Sequence, residues 1–218
     1  MEFDEVIRKR RMVRNYAPDP LPPDALDKVV DAGLRAPSAG YSQGIGFVIV
    51  TDAGTRNSIA ELADEAEYVA AGLDPWISTA PAHVVITVSE SIYRERYREP
   101  DKLGPNGKEI DWAVPYWWVD AGAALMAVLL AAVNEGLVAG FLGVHSMRDL
   151  AFLLEIPERH SPIGVVTVGY PMPDRRSGSL SRGKRPRASV VHRERWAADG
   201  YQFGGEFPDQ AIGLASGS

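Results

Sequence analysis

Five basic residues fall within seven positions near the start of the chain, Arg8, Lys9, Arg10, Arg11 and Arg14. Six more fall within thirteen near its end, Arg175, Arg176, Arg182, Lys184, Arg185 and Arg187. Neither stretch contains an acid, and together they hold 11 of the 23 Lys and Arg, so the rest of the chain sets 12 basic residues against 29 acidic ones. The positive charge is placed rather than scattered. A guanidinium fork matches phosphate oxygens through two parallel hydrogen bonds, so the two clusters suggest one folded anion site built from both ends of the chain. A solvated basic surface is the plainer reading of either run alone. Nucleic acid is a poor partner, because a net charge of −6 repels a polyanion over most of the surface and no nucleic-acid-binding signature accompanies the clusters. A small phosphorylated ligand fits better.

Other chemistry is sparse. Gly40-Tyr41-Ser42-Gln43-Gly44 matches the G-x-S-x-G string of serine hydrolases, but that turn needs a strand before it and a helix after it. Here the expected order is reversed, which argues against Ser42 as a nucleophile. The four histidines, His83, His145, His160 and His192, show no short metal-ligand spacing, and no metal site is expected. There is no cysteine, hence no disulfide or thiol nucleophile. No glycine-rich phosphate loop appears. With no conventional catalytic side-chain set, a bound phosphorylated cofactor would carry the chemistry and the protein would hold and tune it.

The elements that must position these residues can be read from periodicity. Phe3, Val6, Ile7 and Arg10 share one helical face, with Asp4 and Glu5 where the helix dipole favours anions. Pro22, Pro23 and Asp24 open a second helix carrying Leu26, Val29, Val30 and Leu34, which Pro37 must end. A loop, Ala36 to Gly44, follows. Gly46–Thr51, Ala82–Val88, Leu137–Leu142 and Ile163–Tyr170 read as buried strands, and helical patterns lie at Ala53–Leu62, Tyr116–Glu135 and Met147–Leu154. The order predicts a mixed layer fold of helices and sheet. Ser89 to Pro115 is charged and rich in Pro and Gly, the pattern of an insertion or lid. The apolar run Ala121 to Val133 is too short to span a bilayer and reads as a buried helix. The N-terminus has no signal-peptide pattern, so a cytoplasmic location, without membrane partners, is expected. The tail 197–218 is expected to extend over a partner or be disordered.

Five segments, in order and spacing, carry a resemblance: Arg10-Arg11-Met12-Val13-Arg14-Asn15-Tyr16, Ala36-Pro37-Ser38-Ala39-Gly40-Tyr41-Ser42-Gln43, Glu135-Gly136-Leu137, Leu154-Glu155-Ile156-Pro157-Glu158 and Gly169-Tyr170-Pro171. Over about residues 3 to 196 the chain resembles the FMN-dependent nitroreductase superfamily. The resemblance implies an α+β fold, a central mixed and mostly antiparallel sheet flanked by helices, in an intertwined homodimer with two FMN sites at the interface. It makes residues 1–196 one FMN-binding domain with a lid-like insertion at about 89–115, and Ala121 to Val133 the dimer-core helix.

Carried over position by position, the resemblance makes Arg10 a phosphate and ribityl contact and Arg14 the cation at the flavin's pyrimidine edge. Arg11 and Met12 lie between them, with Met12 where Ser is common. Pro37, Ser38, Ala39, Tyr41 and Gln43 would reach the flavin from the partner subunit, Tyr41 replacing a common Asn and Gly44-Ile45 the usual Pro-Trp. Leu142 and Gly143 match the backbone beside the reactive edge, and Arg185 and Arg187 the late basic pair over the phosphate. Trp112, Tyr116 and Trp117 are candidates to cover the substrate, although core packing explains such aromatics equally well. The implied activity is transfer of hydride from NADH or NADPH through FMN to an electron-poor acceptor such as a nitroaromatic or quinone. Reductive dehalogenation, enone reduction, flavin breakdown and a non-catalytic flavin-binding role are the alternatives.

Overall fold

The computed structural model describes residues 1–175 and 178–196. Arg176 and the tail expected at 197–218 lie outside the described residues. Two units separate at Arg175, and the first, Met1–Arg175, contains the sheet.

Its four strands are β1 (Ile45–Val50), β2 (Ala82–Val88), β3 (Val138–Leu142) and β4 (Ser161–Gly169), in the order β1-β2-β4-β3. Every neighbouring pair is antiparallel. A single parallel bridge, Met12 to Ala139, adds the N-terminal segment beside β3, so the sheet is mixed but mostly antiparallel, as expected. The strands alternate as their period of two requires. Ala82, Val84, Ile86, Val166 and Val168 pack against Leu26 and Val29 of α2 (Pro23–Leu34) and against Val128, Leu129 and Ala132 of α6 (Tyr116–Asn134). Val85 and Val165 face the other way, toward Ile59 and Ala60 of α3 (Ala53–Leu62) and Leu150 of α7 (Met147–Leu153). Each fully buried Val or Ile contributes about 1.5–3 kcal/mol, and covering both faces explains why β2 has no exposed position.

Near one end of the sheet the β2–β4 register slips between Ile86 and Thr87, beside Pro162, which has no N–H to give the ladder. Gly164 follows at φ +149°, where an added Cβ would sit 2.6 Å from the Phe141 ring. Only glycine fits there.

Sequence periodicity located nine of the eleven α-helices and strands among the described residues, α1 (Phe3–Lys9) included. The two short helices α4 (Glu65–Ala70) and α5 (Glu90–Arg96) were not expected. Helix α5 opens the stretch read as a lid, so its first third is regular structure. Helix α6 is long and apolar enough to cross a membrane by length and composition, yet it packs on α2 and the sheet.

One polar group sits deep in the core. His83 on β2 is fully buried; its Nε2 is 2.8 Å from the Ile77 carbonyl, and its Nδ1 has no hydrogen-bond partner. Burial lowers its pKa from 6.5 to about 4, with Arg56 adding to the effect and the Ile77 hydrogen bond opposing it. Between those values the unfolded chain binds a proton that the folded chain does not, so stability falls as pH drops from about 6.5 to 4. The full effect is about 3 kcal/mol at 1.36 kcal/mol per pKa unit. Urea unfolding across pH 4 to 7 checks this: His83→Gln should flatten the profile, and an unchanged slope would refute the assignment.

Candidate functional site

The first arginine cluster begins where α1 ends. Arg8 and Lys9 occupy its last turn, where cations suit the helix dipole, and the Arg10 backbone N–H closes the helix on the Val6 carbonyl. From Arg10 the chain runs extended. Val13 N–H donates to Ala139 O at 3.1 Å, and Ala17 N–H to Tyr170 O at 3.1 Å. Arg14 N–H donates to Asp174 Oδ2 at 3.1 Å, and Asn15 Nδ2 to Pro173 O at 2.6 Å. The backbone is thus tied to β3 on one side and to the segment after β4 on the other.

A small polar knot fixes its depth. Tyr16 is buried; its hydroxyl donates to Val13 O at 2.7 Å and lies 2.7 Å from Thr167 Oγ1. Burial pushes the Tyr16 phenol well above its ordinary pKa, so it remains a neutral donor. Gly140 lies against this knot, where a Cβ would meet Val13 O at 2.6 Å. Val13 and Tyr16 point inward, whereas Arg11, Met12 and Arg14 are exposed and Arg10 half-buried.

Among the described residues, Arg10, Arg11 and Arg14 form no ion pair, in contrast to Arg94, Arg96 and Arg98, which all do. The Arg14 guanidinium instead lies over the Trp76 ring, 5.5 Å from its centroid. Leu142, at the end of β3, packs on the same cluster as Val13, Tyr16 and Trp76, and Gly143 follows it, exposed. The structure therefore sets the segment carrying Arg10, Arg11, Met12 and Arg14 beside Ala139 of β3, the strand that ends at Leu142 and is followed by Gly143. Unpaired cations on an anchored backbone fit an anionic group such as a phosphate or a reduced flavin ring.

A second group of expected residues is built elsewhere in this unit. After α2 the loop 36–44 makes a 3₁₀ turn, Ala39–Tyr41, with Gly40, Tyr41 and Gln43 all at positive φ, 63°, 57° and 55°. The strain in Tyr41 and Gln43 is held by local bonds. Gln43 N–H donates to Ser38 Oγ at 3.0 Å, and Ala39 N–H to Asp120 Oδ2 at 2.8 Å. The Tyr93 hydroxyl donates to the same Asp120 oxygen at 2.8 Å, and Arg96 Nε donates to Gly40 O at 3.0 Å. Burial, and then the Asp120 hydrogen bond, raise the Tyr93 pKa. Pro37, Tyr41 and Gln43 remain exposed, Tyr41 at 76%. Among the described residues no hydrogen bond joins this loop to the Arg10–Arg14 segment.

Ser42 is buried, and its Oγ donates to Ala39 O at 2.6 Å. It precedes β1 instead of following a strand, so its hydroxyl is a turn bond and not a nucleophile.

Asp120, Tyr93, Arg96 and Trp76 were not singled out from the sequence. Asp120 left one trace, a lone acid inside an otherwise apolar helix.

Glu109 organises the aromatic segment. It accepts from Arg94 at 2.9 Å, Arg98 at 2.8 Å and Trp112 Nε1 at 2.9 Å. Although burial opposes it, these donors hold the Glu109 carboxyl below its ordinary pKa. Arg96 likewise holds Asp101 down to about 2 by its hydrogen bonds. The Trp112 ring meets Tyr97 at 4.5 Å, Trp117 at 5.4 Å and Tyr116 at 6.4 Å, all edge-on. Trp117 is buried with Val88, Tyr93 and Ala121, whereas Tyr116 is exposed.

In the second unit, two 3₁₀ turns, Gly178–Arg182 and Arg187–Ser189, carry the late basic residues. Arg182, Lys184 and Arg185 line a concavity of 520 Å³ with Ser179, Gly183 and Pro186. Arg185 and Arg187 are both exposed there.

The chain is 29% identical over 202 residues to the FMN reductase [NAD(P)H] of Bacillus subtilis, covering 88% of this chain and 74% of that one. It is 31% identical over 178 residues to the NADH dehydrogenase of Thermus thermophilus, covering 75% and 83%. The solved structure of B. megaterium NfrA2 superimposes with a TM-score of 0.70 over 91% of this chain and 77% of that one, at 23% identity. The sequence profile of the nitroreductase family matches residues 7–170, three quarters of the chain. This protein belongs to the nitroreductase family.

Proposed function

We propose that the protein is an FMN-dependent NAD(P)H oxidoreductase that passes electrons to an electron-poor acceptor such as a nitroaromatic or quinone. The observation that carries this reading is the set of cations Arg10, Arg11 and Arg14, which have no ion pair among the described residues, on a backbone locked beside Ala139 of β3 in a nitroreductase-family chain. The relatives named as an FMN reductase and an NADH dehydrogenase support FMN as cofactor and a nicotinamide as donor. When bound, FMN supplies the hydride chemistry, which relies on proximity and orientation more than on protein acids and bases.

The chain's own residues then have holding roles. Arg10 binds the phosphate by charge-assisted hydrogen bonds. Arg11 adds positive charge beside it. Arg14 stabilises negative charge at the pyrimidine edge, and Leu142 and Gly143 present backbone to the ring. Residues 37–43 serve the site of a second copy of the chain, consistent with a loop that is rigidly held yet exposes Pro37, Tyr41 and Gln43. Tyr116 and Trp112 cover the acceptor, with Trp117 as their buried support.

Association of two copies is supported by α6. Its Val119, Gly122 and Met126 form an exposed apolar stripe at helical spacing, while Ala121 and Ala124 are buried within their own chain. The stripe, not the whole Ala-rich run, is the surface proposed for the second copy. We place the protein in the cytoplasm, where NAD(P)H is available.

The purified protein should be yellow and release FMN, identified by mass spectrometry. Arg10→Ala should weaken FMN binding by about 1.5–3 kcal/mol, the scale of a charge-assisted hydrogen bond. Arg175→Ala, whose guanidinium bonds only the Gly72 carbonyl among the described residues, should leave it nearly unchanged. A colourless protein that cannot be reconstituted with FMN would reject the proposal.

A further inference from the structure

We propose that Trp76 is a positioning residue for Arg14: a fixed aromatic plate that orients this cation without neutralising it. The inference rests on the functional reading above, in which Arg14 faces the flavin.

Trp76 is only 3% exposed, and the loop that carries it is bonded from several directions. The backbone N–H groups of Trp76, Ile77 and Ser78 all converge on the Glu65 carboxylate, and Ser78 Oγ donates to it as well. Arg56 donates to the Ser78 and Ala80 carbonyls, and Thr79 Oγ1 to Pro75 O at 2.7 Å. His83 engages Ile77 O. A loop with so many of its polar groups occupied gives the indole little freedom to move.

Arg14 is exposed, and its side chain would otherwise sample many rotamers, a large entropy to lose when a ligand binds. A carboxylate could restrain it, but would also cancel its charge and compete with an anionic ligand. An aromatic face restrains a guanidinium through its ring quadrupole and leaves the N–H groups at the fork's edge free to donate. The 5.5 Å separation of Arg14 Cζ from the ring centroid lies within the range of such a contact. Asp174, the nearest acid bonded to this residue, is engaged by its backbone N–H. The arrangement thus separates two functions that an ion pair would merge, holding the cation and keeping it charged.

The test measures FMN affinity in oxidised and reduced forms for wild type, Trp76→Met, Trp76→Phe, Arg14→Ala and the double variant Arg14→Ala/Trp76→Met. Methionine keeps apolar bulk but removes the ring face. Trp76→Met should weaken reduced FMN about fivefold more than oxidised FMN, which lowers the two-electron potential by about 20 mV at 29.6 mV per tenfold. Trp76→Phe should restore at least half of that loss, and Trp76→Met should add nothing in the Arg14→Ala background. Wild-type values in Trp76→Met, or full additivity in the double variant, would overturn the proposal. If Trp76→Met does not fold, Trp76→Phe decides: its smaller ring should shift the oxidised-to-reduced affinity ratio toward that of Arg14→Ala, and a wild-type ratio overturns the inference. Wild-type protein that binds no FMN would instead overturn the functional reading itself, and this proposal with it.

Discussion

Gly140→Val is expected to lower the unfolding free energy by about 3 kcal/mol and to remove FMN binding, because one added side chain strikes both the sheet and the arginine segment. A Cβ at this position would lie 2.6 Å from Val13 O, 2.9 Å from Thr167 Oγ1 and 3.0 Å from the Tyr16 hydroxyl. None of these can move alone. Val13 is hydrogen-bonded through its N–H to Ala139, and Tyr16 joins Val13 to Thr167. Relief therefore requires the Arg10–Tyr16 strand to lift away from β3, which carries Arg14 with it. Urea unfolding and FMN titration measure the two effects. A Gly140→Val protein with wild-type stability and flavin content would show that the segment is not anchored as described.

Glu65→Ala should be costlier still, about 4 kcal/mol, because it orphans buried donors in addition to losing one acceptor. The Glu65 side chain is 7% exposed and accepts from three consecutive backbone N–H groups and from the Ser78 hydroxyl. Without it, Trp76 N–H and Ile77 N–H face a site that water reaches poorly. Glu65→Gln keeps one carbonyl oxygen for those two donors and should lose less than half as much. Chemical denaturation of the three proteins decides the matter. A loss below about 1 kcal/mol for Glu65→Ala would mean that solvent enters and replaces the carboxylate.

These two positions also show where sequence reading succeeds and where it stops. Strands β1 to β4 and the long helices were legible because burial on one or two faces imprints a period on the chain, and β2 was located at Ala82–Val88 to the residue. In α4 the apolar Tyr68 and Val69 are exposed while Glu65 is buried, and α5 carries apolar side chains only at Ile92 and Tyr93, so neither shows a hydrophobic period. Helix α5 sits in a charged stretch, where ion pairs to Glu109 and Asp101 hold structure that its own apolar residues could not. Gly140 and Glu65 looked like any other glycine and glutamate. The significance of each comes from atoms distant in sequence, Val13 in one case and Trp76 to Ser78 in the other.

The arginines divide in the same way. Composition by itself determined that positive charge is concentrated in two acid-free stretches, and the ordered motifs determined the family. Only the tertiary structure decided which guanidinium groups are struts and which are available. Arg94, Arg96 and Arg98 are held by carboxylates, while Arg10, Arg11 and Arg14 have none within ion-pair distance among the described residues. The physical reason is range. A hydrogen bond or close ion pair acts over a few ångströms of space, so the partner that sets an arginine's role is chosen by the fold, whatever the separation along the chain.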